Sequence, residues 1–347
     1  STRRRGGPAS PMWRNARCLA TGAGIGAFAT HAISKYAEDS PLFFNSLLLP
    51  GLGRGRGGGE RNLPALVPVI KMAGTIETPR PGQVSSQSIS LQKYEDVLKQ
   101  AFKLKPSAVA IEMNSPGGSP AQSSLIHARL LELRKQHPEV KLLCYCTEMC
   151  ASGGYYIASA CDEIHVIPSS IVGSIGVQAH NFGVVELFKK WGLEDRTLTV
   201  GTSKNSDSPF QPRNPVAVQK TTRLLEEIHE DFKSKVSAGR RDRLKHAEAA
   251  AYARKAGDYK SRSERREALF DGSVFMGRKA VEFGLADGLY EDMVASLQEK
   301  FGADVRLLEL KTKQGFFERL TAMQAASAAE HAAALAGVVR AELTKRF

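Results

Sequence analysis

AVAIEMNSPGGSPAQSSLIHARLLELRKQHPEVKLLCYC, residues 108–146, decides the fold class. Ala108 to Met113 is a short apolar run, the pattern of a buried strand. A glycine turn follows, then a helical stretch from about Pro120 to His137, then a second apolar strand, Val140 to Cys146. Working outward, LVPVIKMAG at 66–74 reads as a buried strand and Pro79 to Ser90 as a polar loop. Tyr94 to Phe102 has helical periodicity, and a further helix begins near Ser152. Ile164 to Ile167 and Thr197 to Val200 read as strands. Strands alternating with helices imply an α/β domain with a mostly parallel sheet and helices on its faces. Asn214 to Leu244 is a long charged helical stretch. The basic and acidic mixture of Lys245 to Glu267 is compatible with either helix or a mobile segment, and Phe316 to Phe347 reads as an Ala-rich closing helix.

The bulk numbers bound the function. The chain has 347 residues, 42% hydrophobic and 24% charged, with a formal net charge of +12. The excess of bases sits mainly in the N-terminal arm and between Lys233 and Lys279. Such a balance suits an acidic partner, whether anionic lipid, nucleic acid or an acidic protein face. No stretch interleaves bases with aromatics as a single-strand platform does, which argues against nucleic acid. The five cysteines, Cys18, Cys144, Cys146, Cys150 and Cys161, are odd in number and unevenly spaced, so they do not form a disulfide framework. Cys144, Cys146 and Cys150 lie close enough to raise zinc. No second C-x-x-C or paired His completes a ligand set, so the sequence reading is a buried strand face and no metal or other cofactor.

The N-terminal region has its own character. Residues 1–37 hold Arg3, Arg4, Arg5, Arg14, Arg17 and Lys35 before the first acid, Glu38, as in an organelle transit sequence. Cys18 to Ser34 is a 17-residue apolar stretch barely long enough to span a bilayer, and Pro41 to Leu52 is a second, interfacial patch. Gly51 to Gly59 is a linker by composition. The expected division is an arm with a membrane-anchoring segment and linker over 1–62, a folded domain over 63–304 and a helical tail over 305–347. The expected address is a mitochondrial membrane, with a plastid as the alternative.

Three segments carry candidate chemistry. In Asn114-Ser115-Pro116-Gly117-Gly118, two glycines at a strand-to-helix turn free backbone amides to hold a developing oxyanion, although a plain turn explains most such pairs. In Cys150-Ala151-Ser152-Gly153-Gly154-Tyr155-Tyr156, Ser152 stands between strand and helix, either as a nucleophile or as an ordinary N-cap. Gly201-Thr202-Ser203-Lys204 offers a lysine, which acts as a base only if its surroundings keep it neutral.

In this order the three segments resemble the signal peptide peptidase A family of serine peptidases, including its SohB-like single-domain relatives. That family carries its nucleophilic Ser in an A-S-G-G-Y segment and its general-base Lys in a G-x-x-K segment some fifty residues on; here Lys204 follows Ser152 by 52 positions. The resemblance implies an oxyanion hole from the backbone of Gly117 and Gly118, with Gly153 assisting. Ile171 to Val177 (IVGSIGV) and Asp271 to Leu289 (DGSVFMGRKAVEFGLADGL) resemble later segments of the family, the second as a strand turning into a helix. The likeness runs from about Leu66 to Asp292. It implies a Clp-protease and crotonase-like spiral of ββα units, peptide substrates, a homo-oligomer with sites facing an inner chamber, and no cofactor. His127, His165 and His180 are then structural. Two rivals stand beside this reading. One is a peptidase-fold structural subunit of a large organellar membrane complex, favoured by the added arm and tail. The other is a crotonase-type acyl-CoA enzyme, in which the Ser and Lys segments have no role.

Overall fold

The computed structural model describes residues 64–78, 88–201, 203–256 and 267–312. The Arg-rich arm, the apolar stretches at 18–34 and 41–52, the Gly linker, most of the 79–90 loop and the Ala-rich tail beyond 312 lie outside the described residues. The strands begin with β1 (Leu66–Ala73), β2 (Thr75–Ile76) and β3 (Ser88–Ile89), and α1 is Leu91–Lys103. The decisive segment follows as β4 (Ala108–Ser115), α2 (Pro120–Gln136) and β5 (Lys141–Ala151). Then come α3 (Gly153–Ala158), β6 (Glu163–Val166), β7 (Ile171–Gly173), α4 (Val185–Lys190) and α5 (Pro215–Arg240). The described chain closes with α6 (His246–Ala256), β8 (Val274–Met276), α7 (Gly277–Glu282), β9 (Gly288–Leu289), α8 (Met293–Phe301) and β10 (Arg306–Leu310).

The result is a mixed α/β fold, a central sheet flanked by helices. Strand order is β10-β1-β4-β5-β6-β9, all parallel, with β7 added beside the far end of β5 and β8 antiparallel to β7. Parallel strands covered on both faces read as continuous apolar runs, which is why β1, β4 and β5 were legible. Alternate residues face opposite ways. Ile70, Met72, Val109, Ile111, Met113, Leu142, Cys144 and Cys146 join the larger core under α1, α2, α3 and α5. Val67, Val69, Ala108, Ala110, Leu143 and Tyr145 form the smaller one against Leu297 of α8.

The helices start where their chemistry dictates. Ser90 caps α1 by accepting from Lys93 N, Ser119 caps α2 with Pro120 in its first turn, and Asn214 caps α5 ahead of Pro215. Helix α1 buries Tyr94, Val97, Leu98, Ala101 and Phe102, a one-sided stripe at helical spacing. Residues 246–256 of the undecided basic stretch are helical. The sheet also runs past residue 304, because β10 pairs with β1.

One expected strand does not form. Thr197 to Val200 is irregular, with Leu198 and Val200 each 97% exposed. The alternation is there, but no strand among the described residues pairs with it, and an unpaired strand has no ladder to stabilise it. No helix among the described residues is long and apolar enough to cross a membrane.

Candidate active site

Ser152 sits at the corner between β5 and α3. Its side chain makes no capping bond to the helix, and its backbone is held at φ +51, ψ −123. A non-glycine residue in that region costs roughly 1–3 kcal/mol and persists only where neighbours enforce it. The enforcing contacts are visible: Ser152 N donates to Gly173 O of β7 at 2.8 Å, and Ser152 O accepts from Tyr156 N at 2.9 Å. A strained serine on a sharp strand-to-helix turn presents its hydroxyl outward, as a nucleophile must be presented. The capping role that the sequence left open does not apply.

The glycine turn after β4 lies directly against this serine. A Cβ on Gly117 would fall 2.7 Å from Ser152 Cβ and 2.8 Å from Gly153 N, so only glycine lets the two turns touch. Gly118 is pinned from the other side, where a Cβ would meet Ile76 O at 2.1 Å. The three amides named by the resemblance are not equivalent. Gly117 N donates to Ser115 Oγ at 3.1 Å, and that hydroxyl donates in turn to Gly74 O at 2.7 Å. Gly118 N and Gly153 N have no hydrogen-bond partner among the described residues. They lie close together, with Gly118 N 3.4 Å from where a Cβ on Gly153 would sit.

These groups border a cavity of about 490 Å³ lined by Ser152, Gly118, Gly153, Tyr156, Ser174 and Asp231 among others. That volume suits a few residues of extended peptide. Helix α5 forms one wall with Ile228, Asp231 and Phe232. Tyr156 OH donates to Asp231 Oδ2 at 2.5 Å, and Asp231 also faces Lys235 at 3.6 Å. Burial, with the Asp231 carboxylate beside it, pushes the Tyr156 phenol up to about 12. His127 packs edge-on against the Tyr156 ring at 5.2 Å; burial, reinforced by Lys235, pushes its imidazole down to about 4, so it is neutral near pH 7. His165 is buried against Glu163 and stacked on Tyr145, away from this cavity, whereas His180 lines it.

Lys204 is placed elsewhere. It is exposed, in a turn closed by Lys204 N donating to Gly201 O at 3.1 Å, and it does not line the cavity that holds Ser152. Ser174 and Asp231 are among the lining residues that were not singled out in the sequence. Ser174 has φ +53, a signal invisible in the letters IVGSIGV. Asp231 is one acid in a charged helix, and nothing local separates it from its neighbours.

Residues 134–305 match peptidase family S49. The Na(+)/H(+) antiporter NhaA of Brucella melitensis biotype 1 is 36% identical over 302 residues, which are 84% of this chain and 38% of that protein. The chloroplastic serine protease SPPA of Arabidopsis thaliana is 25% identical over 167 residues, 47% of this chain and 24% of that protein. The chain thus spans well under half the length of either relative. A solved structure, the 1510-N membrane protease specific for a stomatin homolog from Pyrococcus horikoshii, aligns over 75% of this chain and 98% of its own, with a TM-score of 0.37 and 13% identity.

Proposed function

The chain belongs to peptidase family S49 through residues 134–305, and from that premise we propose that it is a serine endopeptidase in which Ser152 attacks the scissile carbonyl and Lys204 is the general base. The observation that carries the proposal is the strained, uncapped Ser152 facing two unpartnered amides, Gly118 N and Gly153 N, across one cavity. Lys204, brought to Ser152, takes the proton from Ser152 Oγ as the Oγ–C bond forms. The oxyanion is held by Gly118 N and Gly153 N, while Gly117 contributes close approach and its amide stays on Ser115. Lys204 then gives the proton to the leaving amine, and water resolves the acyl-enzyme with the same base. A kinship of this sheet with the Clp-protease and crotonase spiral is part of the proposal.

Lys204 must move to Ser152, or come from another copy. The segment that carries it favours assembly: Phe182, Trp191, Leu198 and Val200 are all exposed at 66% or more, a cost that burial between copies removes. A homo-oligomer that covers this segment is therefore part of the proposal. So are membrane association through residues 18–52 and a mitochondrial address.

The test is fluorophosphonate labelling and peptide turnover of the assembled chain beside Ser152→Ala and Lys204→Ala. Labelling should vanish in the first, and turnover should fall by at least about 10³-fold in each. Undiminished turnover in either variant removes the dyad. A folded wild type that neither labels nor cleaves points to the scaffold reading, in which the fold serves a larger assembly.

A further inference from the structure

The sequence spreads Cys144, Cys146 and Cys150 over seven positions ahead of Ser152, and the fold gathers their sulfurs. On a regular strand Cys146 and Cys150 would be roughly 13 Å apart. The pairing of β5 with β4 prevents that: Cys146 lies opposite Met113, but Cys150 lies opposite Ser115, so four steps on β5 match two on β4. The intervening residues Thr147, Glu148 and Met149, two more than β4 has there, bulge outward, where they are partly or fully exposed, and Cys150 returns to the inner face. All three sulfurs then lie within 4.8 Å of one another, with Cys144 Sγ to Cys146 Sγ at 3.8 Å. Every one of these side chains is buried.

We propose that Cys144, Cys146 and Cys150 form a binding site for one thiophilic metal ion, of the zinc or cadmium class. The spacing is the first argument. Thiolates bound to zinc at about 2.3 Å in tetrahedral array stand about 3.8 Å apart, the separation already present between Cys144 and Cys146. The second argument is convergence. A plain apolar core needs no bulge to place a third thiol on the same spot, and a ligand set made of sulfur selects a soft ion. The third is position: all three ligands lie on β5, whose last residue, Ala151, leads directly into Ser152.

In the metal-free protein, contact with the Cys146 thiol and burial hold the Cys144 thiol well above its ordinary value, and Cys146 and Cys150 are raised likewise. The cluster is then a neutral part of the core. Loading exchanges thiol protons for the ion, each S–H proton passing to solvent as its S–metal bond forms; no oxidant is involved. Because the sulfurs are inaccessible in the folded chain, the ion enters as the core closes.

The experiment is refolding of the full reduced chain with and without a stoichiometric amount of Cd²⁺, followed by desalting, metal analysis and ultraviolet detection of sulfur-to-cadmium charge transfer. Wild type should retain about one ion per chain and melt several degrees higher, since binding to the folded state adds to stability. Cys146→Ala and Cys150→Ala, each checked for folding, should lose at least about tenfold of that retention, while Cys18→Ser keeps it. Less than about a tenth of an ion on folded wild type overturns the proposal, as does retention unchanged in both cluster variants. None of these readouts depends on peptidase activity.

Discussion

Gly117→Ala probes the link between backbone geometry and the reactive serine. The added methyl would lie 2.7 Å from Ser152 Cβ and 3.0 Å from Ser152 Oγ. Ordinary carbon–carbon contact is about 3.5–4.0 Å, so Ser152 or the turn must shift by about 1 Å. The backbone adds to this: φ is +102 at Gly117, where an L side chain costs roughly 1–3 kcal/mol. Overpacking adds about 1–3 kcal/mol more, and the stiffer unfolded chain returns about 0.4–1 kcal/mol. The expected loss of stability is therefore about 1–5 kcal/mol. A displacement of about 1 Å at a nucleophile lowers the rate by about 10²-fold. Urea unfolding gives the first quantity, and the rate of fluorophosphonate labelling of the fraction that remains folded gives the second. Labelling within about threefold of wild type, with unfolding unchanged, would refute the claim that the two turns are in contact and that this contact sets the serine.

Three further outcomes follow from the same geometry. Asp287→Asn leaves Arg240, which is fully buried and bonded to both Asp287 oxygens, without its counter-charge; the expected loss is about 3–5 kcal/mol in chemical denaturation, and a loss under about 1 kcal/mol contradicts it. The buried His127 has its pKa pushed down to about 4, so the unfolded chain takes up that proton first, near pH 6.5. Stability should fall as pH drops from about 6.5 towards 4, by about 3 kcal/mol from this group, and His127→Leu should flatten the slope between pH 6.5 and 5, where few carboxylates titrate. Leu198→Glu should leave the stability of the protomer within about 0.5 kcal/mol, because the side chain touches almost nothing within it, yet lower the assembly state in light scattering.

What local chemistry governs was legible in the letters alone. Strands β1, β4 and β5 are apolar runs because both faces of a parallel sheet are covered, and α2 begins at Ser119-Pro120 because capping is a matter of adjacent residues. Ser152 and the glycine turn stood out because their spacing is a pattern. Long-range contact decided the rest. Thr197 to Val200 alternates like a strand, yet alternation supplies no partner. The division of labour among Gly117, Gly118 and Gly153 depends on a hydroxyl, Ser115 Oγ, that the sequence cannot aim. Asp231 reaches the cavity only because α5 packs over α3, and Gly239 shows how closely: a Cβ there would stand 2.0 Å from Ser159 O. Nor does a count of residues between Cys146 and Cys150 reveal a bulge that exists only in the register of β5 against β4. Sequence determines what each segment can form, because propensity and capping act over a few bonds. Register, approach distance and the partner of a buried group belong to the tertiary structure, since they join residues that the chain keeps far apart.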